Sequence, residues 1–351
     1  MSVLITGGAG YIGSHAVWAF VERGEKVVVI DNLVTGFDWA MPQQVKLIIG
    51  NVGDRTLVEQ TIREYEVDTI IHFAGSVVVP ESLEKPLKYY DNNTSNTRNL
   101  LETAVRCGIE KFIFSSTAAV YRAPDTLDAV DETTALEPAS PYGMSKLMSE
   151  MMLRDVSLAH GMRYVILRYF NVAGADPAGR TGLSTRGATH VMKLACETAL
   201  GKRDRFDVFG TDYETPDGSA IRDFIHVSDL VQAHVDAYYF LQEGGLKFTG
   251  NVGYGMGHSV LDVVDAVKRV SGVDFDVEYR PRRPGDIAAI VADSSRMQRR
   301  LDWHPVYTEL DQIVEDALAW EEKLQSMQTP APASAPLAPD LDTLMDKITL
   351  I

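Results

Sequence analysis

A doubly wound α/β fold is predicted for this chain by the alternation of short β-branched runs with amphipathic stretches in its first half. A glycine-rich turn follows the first run, and a glycine ends the longest amphipathic stretch, as expected where strands and helices meet. Repeated strand, helix, strand units require right-handed crossovers and a parallel sheet covered by helices on both faces. A smaller α/β region is predicted to follow.

Six runs in the first half are predicted to form the parallel sheet. Their bounds are residues 3–6, 26–31, 46–50, 68–75, 111–117 and 163–170. Apolar residues at helical spacing fill most of the gaps between these runs. The longest predicted helix spans residues 92–107 and ends at Gly108.

The pattern loosens beyond about Asn171 into loops rich in Gly and Thr. Residues 224–227 and 251–252 look like buried strands, and these could rejoin the first sheet or its edge. Ser259 is a good N-cap for the helix that follows it. The other elements predicted here are helices over 188–200, 260–270 and 309–323, and strands over 206–209 and 277–280.

Three units are therefore expected along the chain. Residues 1–170 form a nucleotide-binding domain with returns near 224–252, and residues 171–326 form mainly a substrate domain. Residues 327–351 form a Pro- and Ala-rich linker and tail. The final 341–351 segment has the pattern of either a short amphipathic helix or a disordered tail, and we interpret it as disordered.

Composition narrows the classes of partner. The chain has 351 residues, with 33 basic against 49 acidic side chains and a net charge of −16. Such a field repels nucleic acid and anionic membranes, so any anionic ligand must find a local basic pocket. The eight histidines show no metal-ligand spacing, and we expect no metal site.

Location is also suggested by composition. We expect no secretory leader and no membrane span, because the first residues read as a strand and no run of eighteen apolar residues is present. Cys107 and Cys196 are the only cysteines, which argues against a disulfide framework and fits a reducing compartment. The cytoplasm is the expected location.

The glycine-rich turn indicates a nucleotide site. Gly7-x-x-Gly10-x-x-Gly13 lies between the first strand and the first helix, where backbone N–H groups can approach a pyrophosphate at the positive end of the helix. Asp31 ends the second strand and suits hydrogen bonds to ribose hydroxyls, while it repels a 2′-phosphate. The pattern is typical of a Rossmann-type domain that binds NAD in preference to NADP.

A second motif suggests proton transfer. Ser140 and Pro141 are predicted to begin a helix on which Tyr142 and Lys146 lie one turn apart on the same face. A neighbouring ammonium and a positive nicotinamide ring both favour the phenolate and are expected to lower the pKa of Tyr142, so that it can accept a proton from a hydroxyl. Thr117 ends a predicted strand, where its hydroxyl would point into the same crevice.

These motifs together resemble the extended short-chain dehydrogenase/reductase family. The resemblance rests on the glycine turn, the Ser115-Ser116-Thr117 strand end, Tyr142-x-x-x-Lys146 and the segment from Leu167 to Asn171. Four further segments are similar to the UDP-glucose (UDP-galactose) 4-epimerases within that family, over residues 3 to about 320. They are residues 72–75, 89–93, 222–227 and 281–286.

The resemblance implies a mechanism. Tyr142 removes the proton of the 4-hydroxyl of a UDP-sugar while carbon 4 gives hydride to tightly held NAD, and Thr117 helps to relay the proton. Lys146 holds the nicotinamide ribose and lowers the pKa of Tyr142. The 4-keto sugar then turns over in the pocket and hydride returns to its opposite face, with no net redox change.

The resemblance also implies two sets of binding residues. Those for NAD are Gly7, Gly10, Tyr11, Ile12, Gly13, Asp31, Asn32, Asn51, Val52, Phe73, Ala74, Gly75, Asn92, Ser115, Tyr142, Lys146 and Tyr169. Those for the UDP-sugar are Thr117, Tyr142, Asn171, His190, Val191, Phe209, Arg222, Arg283, Asp286 and Ile290. Within this second set, Arg222 and Arg283 are expected on the diphosphate, Phe209 near the uracil and Asp286 on a ribose hydroxyl.

Several positions depart from the family pattern. Asn51 replaces an Asp at the adenine amino group, and Val77 replaces a Lys beside the pyrophosphate, so weaker NAD retention is predicted. His190 lies in a Thr-His pair where an Asn-Asn pair is common. Ile290 has an intermediate size at the position that limits room around the sugar, so N-acetylated hexoses are expected to be excluded or poorly accepted.

Three other functions are weighed. An NDP-sugar 4,6-dehydratase shares the Tyr and Lys, but it carries an Asp-Glu pair where Ala118 and Ala119 stand here. A UDP-pentose or UDP-N-acetylhexosamine 4-epimerase is an alternative, because the catalytic residues do not name the sugar. A regulator that senses NAD without turnover would be expected to lose Tyr142 or Lys146, and both are present.

The resemblance further suggests a homodimer formed through helices of the nucleotide domain. Four methionines along one predicted helix fit packing at a core or at a subunit interface. They are Met144, Met148, Met151 and Met152.

Overall fold

The computed structural model describes residues 1–328 except 125, 186, 284 and 285. Within this part the strands are β1 Ser2–Thr6, β2 Val27–Asp31, β3 Lys46–Ile49, β4 Val67–His72, β5 Lys111–Thr117, β6 Arg163–Tyr169, β7 Asn171–Ala173, β8 Phe206–Phe209, β9 Ile221–His226, β10 Lys247–Val252, β11 Gly257–Ser259, β12 Val277–Arg280 and β13 Ala289–Ile290. The helices are α1 Tyr11–Glu22, α2 Arg55–Glu64, α3 Val79–Glu84, α4 Pro86–Tyr89, α5 Asn96–Arg106, α6 Pro141–His160, α7 Val191–Ala199, α8 Val227–Gln242, α9 Val260–Ser271, α10 Ser295–Leu301 and α11 Leu310–Gln328.

Seven parallel strands form the main sheet, in the order β10-β6-β5-β4-β1-β2-β3. The predicted doubly wound α/β fold is therefore confirmed. The chain runs from β1 outward through β2 and β3 on one side, and from β4 outward on the other. The strand order thus reverses between β1 and β4, which is where open α/β sheets bind ligands at the carboxyl ends of their strands.

The two faces of this sheet have separate apolar cores, as the predicted crossovers require. One core packs α1 and α8 on the sheet and includes Phe20, Leu230 and Trp303. The other packs α2, α5 and α6 on the opposite face and includes Leu100 and Leu153. Both are formed by the inward side chains of strands whose residues are almost all buried.

All six predicted strands of the sheet are present, with bounds that differ by at most three residues. The run 68–75 extends past the observed β4, because residues 73–75 leave the sheet as a loop. The predicted helix 92–107 starts as a π-helical turn, Tyr90–Ser95, before it becomes α5. Of the two segments considered for a return to this sheet, 251–252 joins it within β10, whereas 224–227 does not.

The second region has its own small sheets and core. β9 pairs with β7, β11 and β13, and β8 pairs in parallel with β12. The predicted strands over 206–209 and 277–280 are thus confirmed, and helices α7, α9 and α11 pack together as a third core. The predicted linker and tail after residue 328 lie outside the described residues.

Ser259 begins α9 with a capping box. Its hydroxyl accepts the N–H of Asp262 and donates to Asp217, and the Asp262 carboxylate accepts the N–H of Ser259. We expect Ser259→Ala to lower the free energy of unfolding by about 1–2 kcal/mol, because a first-turn donor and the Asp217 carboxylate both lose a partner. Urea denaturation measures the change.

Ser271 at the other end of α9 is the matched control. Its hydroxyl donates to the carbonyl oxygen of Val267 within the same helix and accepts the exposed N–H of Val273, which water can bond instead. Ser271→Ala is expected to change the free energy of unfolding by less than about 0.5 kcal/mol. Equal losses for the two variants would show that the cap does not stabilise this helix.

Candidate active site

The carboxyl ends of five parallel strands meet at one edge of the main sheet. β1 leads there into the glycine turn, β2 ends in Asp31, and β4 leads into residues 73–75. β5 ends in Thr117 and β6 in Tyr169. The sheet therefore brings together most of the residues that the sequence assigns to the nucleotide and to the chemistry, although they lie up to 160 positions apart.

The glycine turn fits a dinucleotide phosphate. Gly7 has a φ of 70°, and a Cβ there would lie 2.7 Å from the backbone nitrogen of Ala74. A Cβ on Gly13 would lie 2.1 Å from the carbonyl oxygen of Gly7. Gly10 is the N-cap of α1 and supplies no capping side chain, and the first turn holds no acidic residue. The turn thus leaves the start of α1 open to an anion.

Asp31 is fixed beside this turn. Its carboxylate accepts hydrogen bonds from the N–H of Ala9, at 3.0 Å, and of Leu33, at 2.8 Å. Burial raises the pKa of Asp31, while these backbone donors lower it. Two N–H donors leave carboxylate lone pairs free for a ribose diol. The residues present therefore fit NAD.

The adenosine side of the predicted cofactor site is more open. Asn32 is exposed and its side chain accepts the N–H of Val34. The amide oxygen of Asn51 accepts the N–H of Gly53 at 2.7 Å, so only one of its lone pairs is free for an adenine amino group. Val52 beside it is buried, and Val77 is 51% exposed.

The loop after β4 forms the next wall of the site. Phe73 packs on the ring of His234, with centroids 4.7 Å apart, and Ala74 approaches the glycine turn. The Asn92 side chain donates to the Ser76 hydroxyl at 2.9 Å. The loop is therefore held both by β1 and by the π-helical turn that precedes α5.

Tyr11 and Ile12 open α1 on the inner side of the site. The Tyr11 hydroxyl donates to the carbonyl oxygen of Gly174 at 2.7 Å, so it ties the nucleotide region to the segment after β7. Burial raises the pKa of Tyr11. Ile12 packs against the core under α1 and α8.

Tyr142 and Lys146 lie on α6 as predicted, with Ser140 as N-cap and Pro141 in the first turn. Gly143 allows the start of α6 to approach the loop after β5, because a Cβ there would lie 2.2 Å from the carbonyl oxygen of Ala119. This close approach brings the Tyr142 hydroxyl near enough to the Thr117 side chain for their interaction to lower the pKa of Tyr142. The two groups assigned to proton transfer are therefore in contact.

The pKa of Tyr142 in the protein alone is set by burial and by Thr117. Tyr142 is 6% exposed, and burial raises its pKa, whereas the hydrogen bond with Thr117 lowers it. The net direction is upward in the protein alone, and the lowered pKa, which also counts the nicotinamide charge, stays a prediction for the protein with NAD bound. The physical reason is that loss of water disfavours the phenolate more than the neighbouring side chains favour it.

Lys146 is buried and held by the strand beside it. Its ammonium donates to the carbonyl oxygen of Ser115 at 2.7 Å and lies 4.8 Å from the ring centre of Phe114. Burial lowers the pKa of Lys146 to about 8, and the carboxylate of Glu150 raises it. The Ser115 hydroxyl contacts His234 at 2.8 Å, and a hydrogen bond with Ser115 lowers the pKa of Tyr169, which burial raises.

Glu150 forms a buried network that the sequence analysis missed. Its carboxylate accepts hydrogen bonds from the Ser116 hydroxyl at 2.6 Å, from Arg168 at 2.9 and 2.6 Å, and from Arg154 at 2.9 Å. Glu150 and Arg168 are both almost fully buried. This network joins α6 to the ends of β5 and β6, next to Thr117 and Tyr169. The one available signal was the position of Glu150 one turn after Lys146.

Arg222 lies in the second region with a polar cluster around it. It is half-buried and donates to the carbonyl oxygen of Ile221. Burial lowers its pKa, while the negative charge of Asp286 and a nearby tyrosine, Tyr213, raise it. The Tyr213 hydroxyl is buried and has no hydrogen-bond partner among the described residues. The sequence analysis did not single out Tyr213.

The structure brings Arg283 and Phe209 together, with the guanidinium carbon 3.7 Å from the ring centre. Asn171 begins β7, which pairs with the β9 strand that carries Arg222. His190 is the N-cap residue of α7, and Val191 is the first residue of that helix.

Two further residues complete the predicted sugar side. Burial lowers the pKa of His190 to about 4, and its Nδ1 atom has no partner within the described chain. Ile290 is 7% exposed and belongs to an apolar cluster that includes Ala118 and Phe170, the neighbours of Thr117 and Tyr169. It therefore packs in the same cluster as the residues that follow Thr117 and Tyr169 in the chain.

The described residues, 1–328 without 125, 186, 284 and 285, were compared with the patterns of metal sites and of membrane spans. No group of three or more His, Cys, Asp or Glu side chains in this part could hold a metal ion. No helix in this part is long and apolar enough to cross a membrane.

The parallel sheet and the polar residues at the carboxyl ends of its strands are typical of a nucleotide-dependent enzyme, and comparison with known proteins identifies the family. The chain belongs to the NAD dependent epimerase/dehydratase family, whose model matches residues 3–253. It is an NAD-dependent epimerase. The resemblance stated from the motifs is therefore confirmed.

Three similar proteins are informative. The UDP-glucose 4-epimerase of Azospirillum brasilense is 51% identical over 334 residues, which cover 95% of each chain. The crystal structure of UDP-glucose 4-epimerase from Brucella ovis in complex with NAD is 41% identical, with a TM-score of 0.87, and the match covers 91% of this chain and 97% of that one. The UDP-Glc/GlcNAc 4-epimerase of Campylobacter jejuni is 46% identical, with a TM-score of 0.80, over 92% and 99% of the two chains.

Glu150→Gln tests the buried network. The variant keeps the shape of the side chain but leaves the Arg168 guanidinium buried without a countercharge. We expect the free energy of unfolding to fall by about 3–5 kcal/mol. Urea denaturation followed by circular dichroism measures the loss.

Glu102→Gln is the control, because Glu102 forms ion pairs with Arg55 and Arg98 and its side chain is 42% exposed. Its loss is expected to stay below about 1 kcal/mol. Similar losses for the two variants would contradict a special role for the buried pair.

Proposed function

We propose that this protein is a UDP-sugar 4-epimerase that interconverts UDP-glucose and UDP-galactose. The observation that carries the proposal is the contact between Tyr142 and Thr117 beside Lys146, at the point where the strand order of the sheet reverses. The chain is 51% and 42% identical to two UDP-glucose 4-epimerases over 334 and 323 residues, which supports the choice of substrate.

Tyr142 accepts the proton of the 4-hydroxyl in this proposal. The Thr117 hydroxyl hydrogen-bonds the phenol and can pass the proton between the sugar and Tyr142. Bound NAD supplies the hydride acceptor and a positive charge that favours the phenolate. Lys146 adds a second positive charge next to the site, where burial strengthens its effect on nearby groups.

The residues of the second region anchor the nucleotide diphosphate. Arg222 is half-buried and hydrogen-bonded to the Ile221 carbonyl, and Arg283 lies on Phe209, so both guanidinium groups have restricted motion before a ligand arrives. Planar guanidinium groups match phosphate oxygens. The diphosphate is held by these groups, whereas the sugar has no covalent bond to the protein and can rotate about its link to the diphosphate. A keto sugar can therefore present either face to the same reacting groups.

The 4,6-dehydratase alternative is disfavoured by the residues after Thr117. Ala118 and Ala119 form a short helical turn there and offer no side-chain acid. Elimination needs an acid to protonate the departing hydroxyl. Epimerisation needs none.

Tyr142→Phe is the direct test of the base. We expect the variant to keep its fold and its NAD and to lose nearly all turnover, by about 100-fold or more, because a general base has been removed. UDP-galactose is incubated with the protein, with and without added NAD, and UDP-glucose is resolved by chromatography. A variant rate near that of the original protein would refute the role of Tyr142.

The same assay tests how firmly NAD is retained. Product formed without added NAD indicates a resident cofactor. Product formed only with added NAD indicates the weaker retention predicted from Asn51 and Val77. No product under either condition would overturn the sugar assignment and direct the search to pentose, N-acetyl and dTDP sugars.

Ile290 is proposed to limit the room around the sugar. It is buried between the residues next to Thr117 and Tyr169, and an N-acetyl group needs added space there. Ile290→Ser is expected to raise activity on UDP-N-acetylglucosamine relative to UDP-glucose, because the smaller side chain leaves room. Paired kcat/KM measurements give the ratio, and an unchanged ratio would remove Ile290 from the specificity argument.

We also propose that the protein works in the cytoplasm as a homodimer. Met148, Met151 and Leu158 lie along one face of α6 and are 38%, 55% and 87% exposed. An exposed apolar stripe on a nucleotide-domain helix suits a partner helix. Two free cysteines suit a reducing compartment.

Met151→Glu tests the dimer. A charge in the stripe is expected to weaken association at least tenfold, because it would lose water on contact with the partner helix. Analytical ultracentrifugation gives the dissociation constant. Asp265→Asn, a change of charge at an exposed position of α9, is the control. If the unsubstituted protein sediments as a monomer, the proposed dimer is excluded.

A further inference from the structure

A second cavity lies along the open edge of the main sheet, away from the strand ends that form the active site. β10 is the last strand on this side, and no strand covers its outer edge among the described residues. The cavity has a volume of about 570 Å³ and is bordered by β10, β6, α6 and α10. This size is within the range of small-molecule sites.

The lining of this cavity is strongly basic. Its cationic side chains outnumber its carboxylates by five to one, and the carboxylate is Glu132. The cations are Arg154, Arg168, Lys247, Arg296 and Arg300. A chain with a net charge of −16 gathers few such clusters by chance, and the positive field focused in a cleft attracts anions.

Not all of these charges are neutralised. Arg154 and Arg168 share the buried Glu150, and Arg296 reaches Glu132 only at 4.0 Å. Lys247 and Arg300 form no ion pair within the described part of the chain. The mouth of the cavity therefore holds three cations that a bound anion could engage without breaking the buried network.

The same edge is too short for a peptide strand. Glu132 accepts the N–H of Asn251 at 2.7 Å, and the Asn251 side chain donates to the carbonyl oxygen of Val130. This contact covers the second half of β10 and leaves only residues 247–249 open. Strand addition needs a longer edge, so a small ligand fits better than a peptide.

The polar groups suit phosphate. Thr249 contributes a hydroxyl to the lining, and the guanidinium groups of Arg296 and Arg300 stand one turn apart on the same face of α10. Guanidinium forks bind phosphate oxygens in pairs. The aromatic residues of the lining, Tyr164 and Phe248, are less than 10% exposed and offer no stacking surface for a base.

We propose that this cavity binds a small phosphorylated compound that carries two or more negative charges, independently of the UDP-sugar site. Arg296, Arg300 and Lys247 bind its phosphate oxygens, and Thr249 adds a neutral hydrogen bond. The ligand lies behind Arg168, on the side of the Glu150 network opposite to Ser116.

Isothermal titration calorimetry with inorganic pyrophosphate tests the proposal. The full-length protein is first saturated with NAD and UDP, so that the phosphate sites of the catalytic cleft are filled. We expect binding at one site per chain, and we expect Arg296→Gln/Arg300→Gln to weaken it at least tenfold. Thermal unfolding checks that this double variant, which changes only exposed side chains, is folded.

Arg299→Gln is the matched control, since Arg299 lies on the same short helix, is exposed and does not line the cavity. It should leave the affinity within twofold. Absence of binding, an equal effect of the control, or equal binding of sulfate at matched ionic strength would overturn the proposal. Binding that appears only when UDP is left out would assign the pyrophosphate to the catalytic cleft instead and would also overturn the proposal.

Discussion

The buried carboxylate of Glu150 holds together the three elements that carry the reacting groups. It lies on α6 one turn beyond Lys146, and it binds Ser116 at the end of β5 and Arg168 near the end of β6. A carboxylate removed from water is stable only when its lone pairs are filled, and four donor groups fill them here. Because these bonds fix α6 against two strands, Tyr142 meets Thr117 without further adjustment.

The protein alone positions Tyr142 and Lys146, but it does not by itself favour the phenolate of Tyr142. Burial raises the pKa of Tyr142 and lowers that of Lys146 to about 8, so Tyr142 is neutral and Lys146 is mostly protonated at neutral pH. A positive charge added next to the Tyr142 phenol favours the phenolate and lowers the pKa of this group. The protein thus supplies geometry and a dry environment, and it is poised for a cofactor that brings the charge.

The sequence predicted the parts of the site that depend on local patterns. The glycine turn, Asp31 and the Tyr142 and Lys146 pair each follow from short-range spacing, and the topology of parallel strands is enough to bring them together. Tyr213 and the partners of Glu150 could not be predicted, because they meet through contacts between residues far apart in the chain. The burial of Tyr142, which raises its pKa in the protein alone, cannot be seen in a motif.

In the fold, too, elements with a local sequence pattern were predicted, and elements that depend on distant contacts were not. Strands with continuous apolar runs were located within a few residues, since burial on both faces leaves a clear pattern. The π-helical turn at residues 90–95 and the separate sheet around β9 were not foreseen, because both depend on packing against distant elements. Short strands paired across such distances carry little local signal.

The central claim is that hydrogen leaves carbon 4 of the sugar and returns to the same carbon inside a closed pocket. UDP-galactose labelled with deuterium at carbon 4 tests it most directly, with the position of the label in the UDP-glucose product read by nuclear magnetic resonance. The account predicts that the deuterium stays at carbon 4 in ordinary water. Label lost to the solvent would contradict it, because the hydrogen would then have moved as an exchangeable proton.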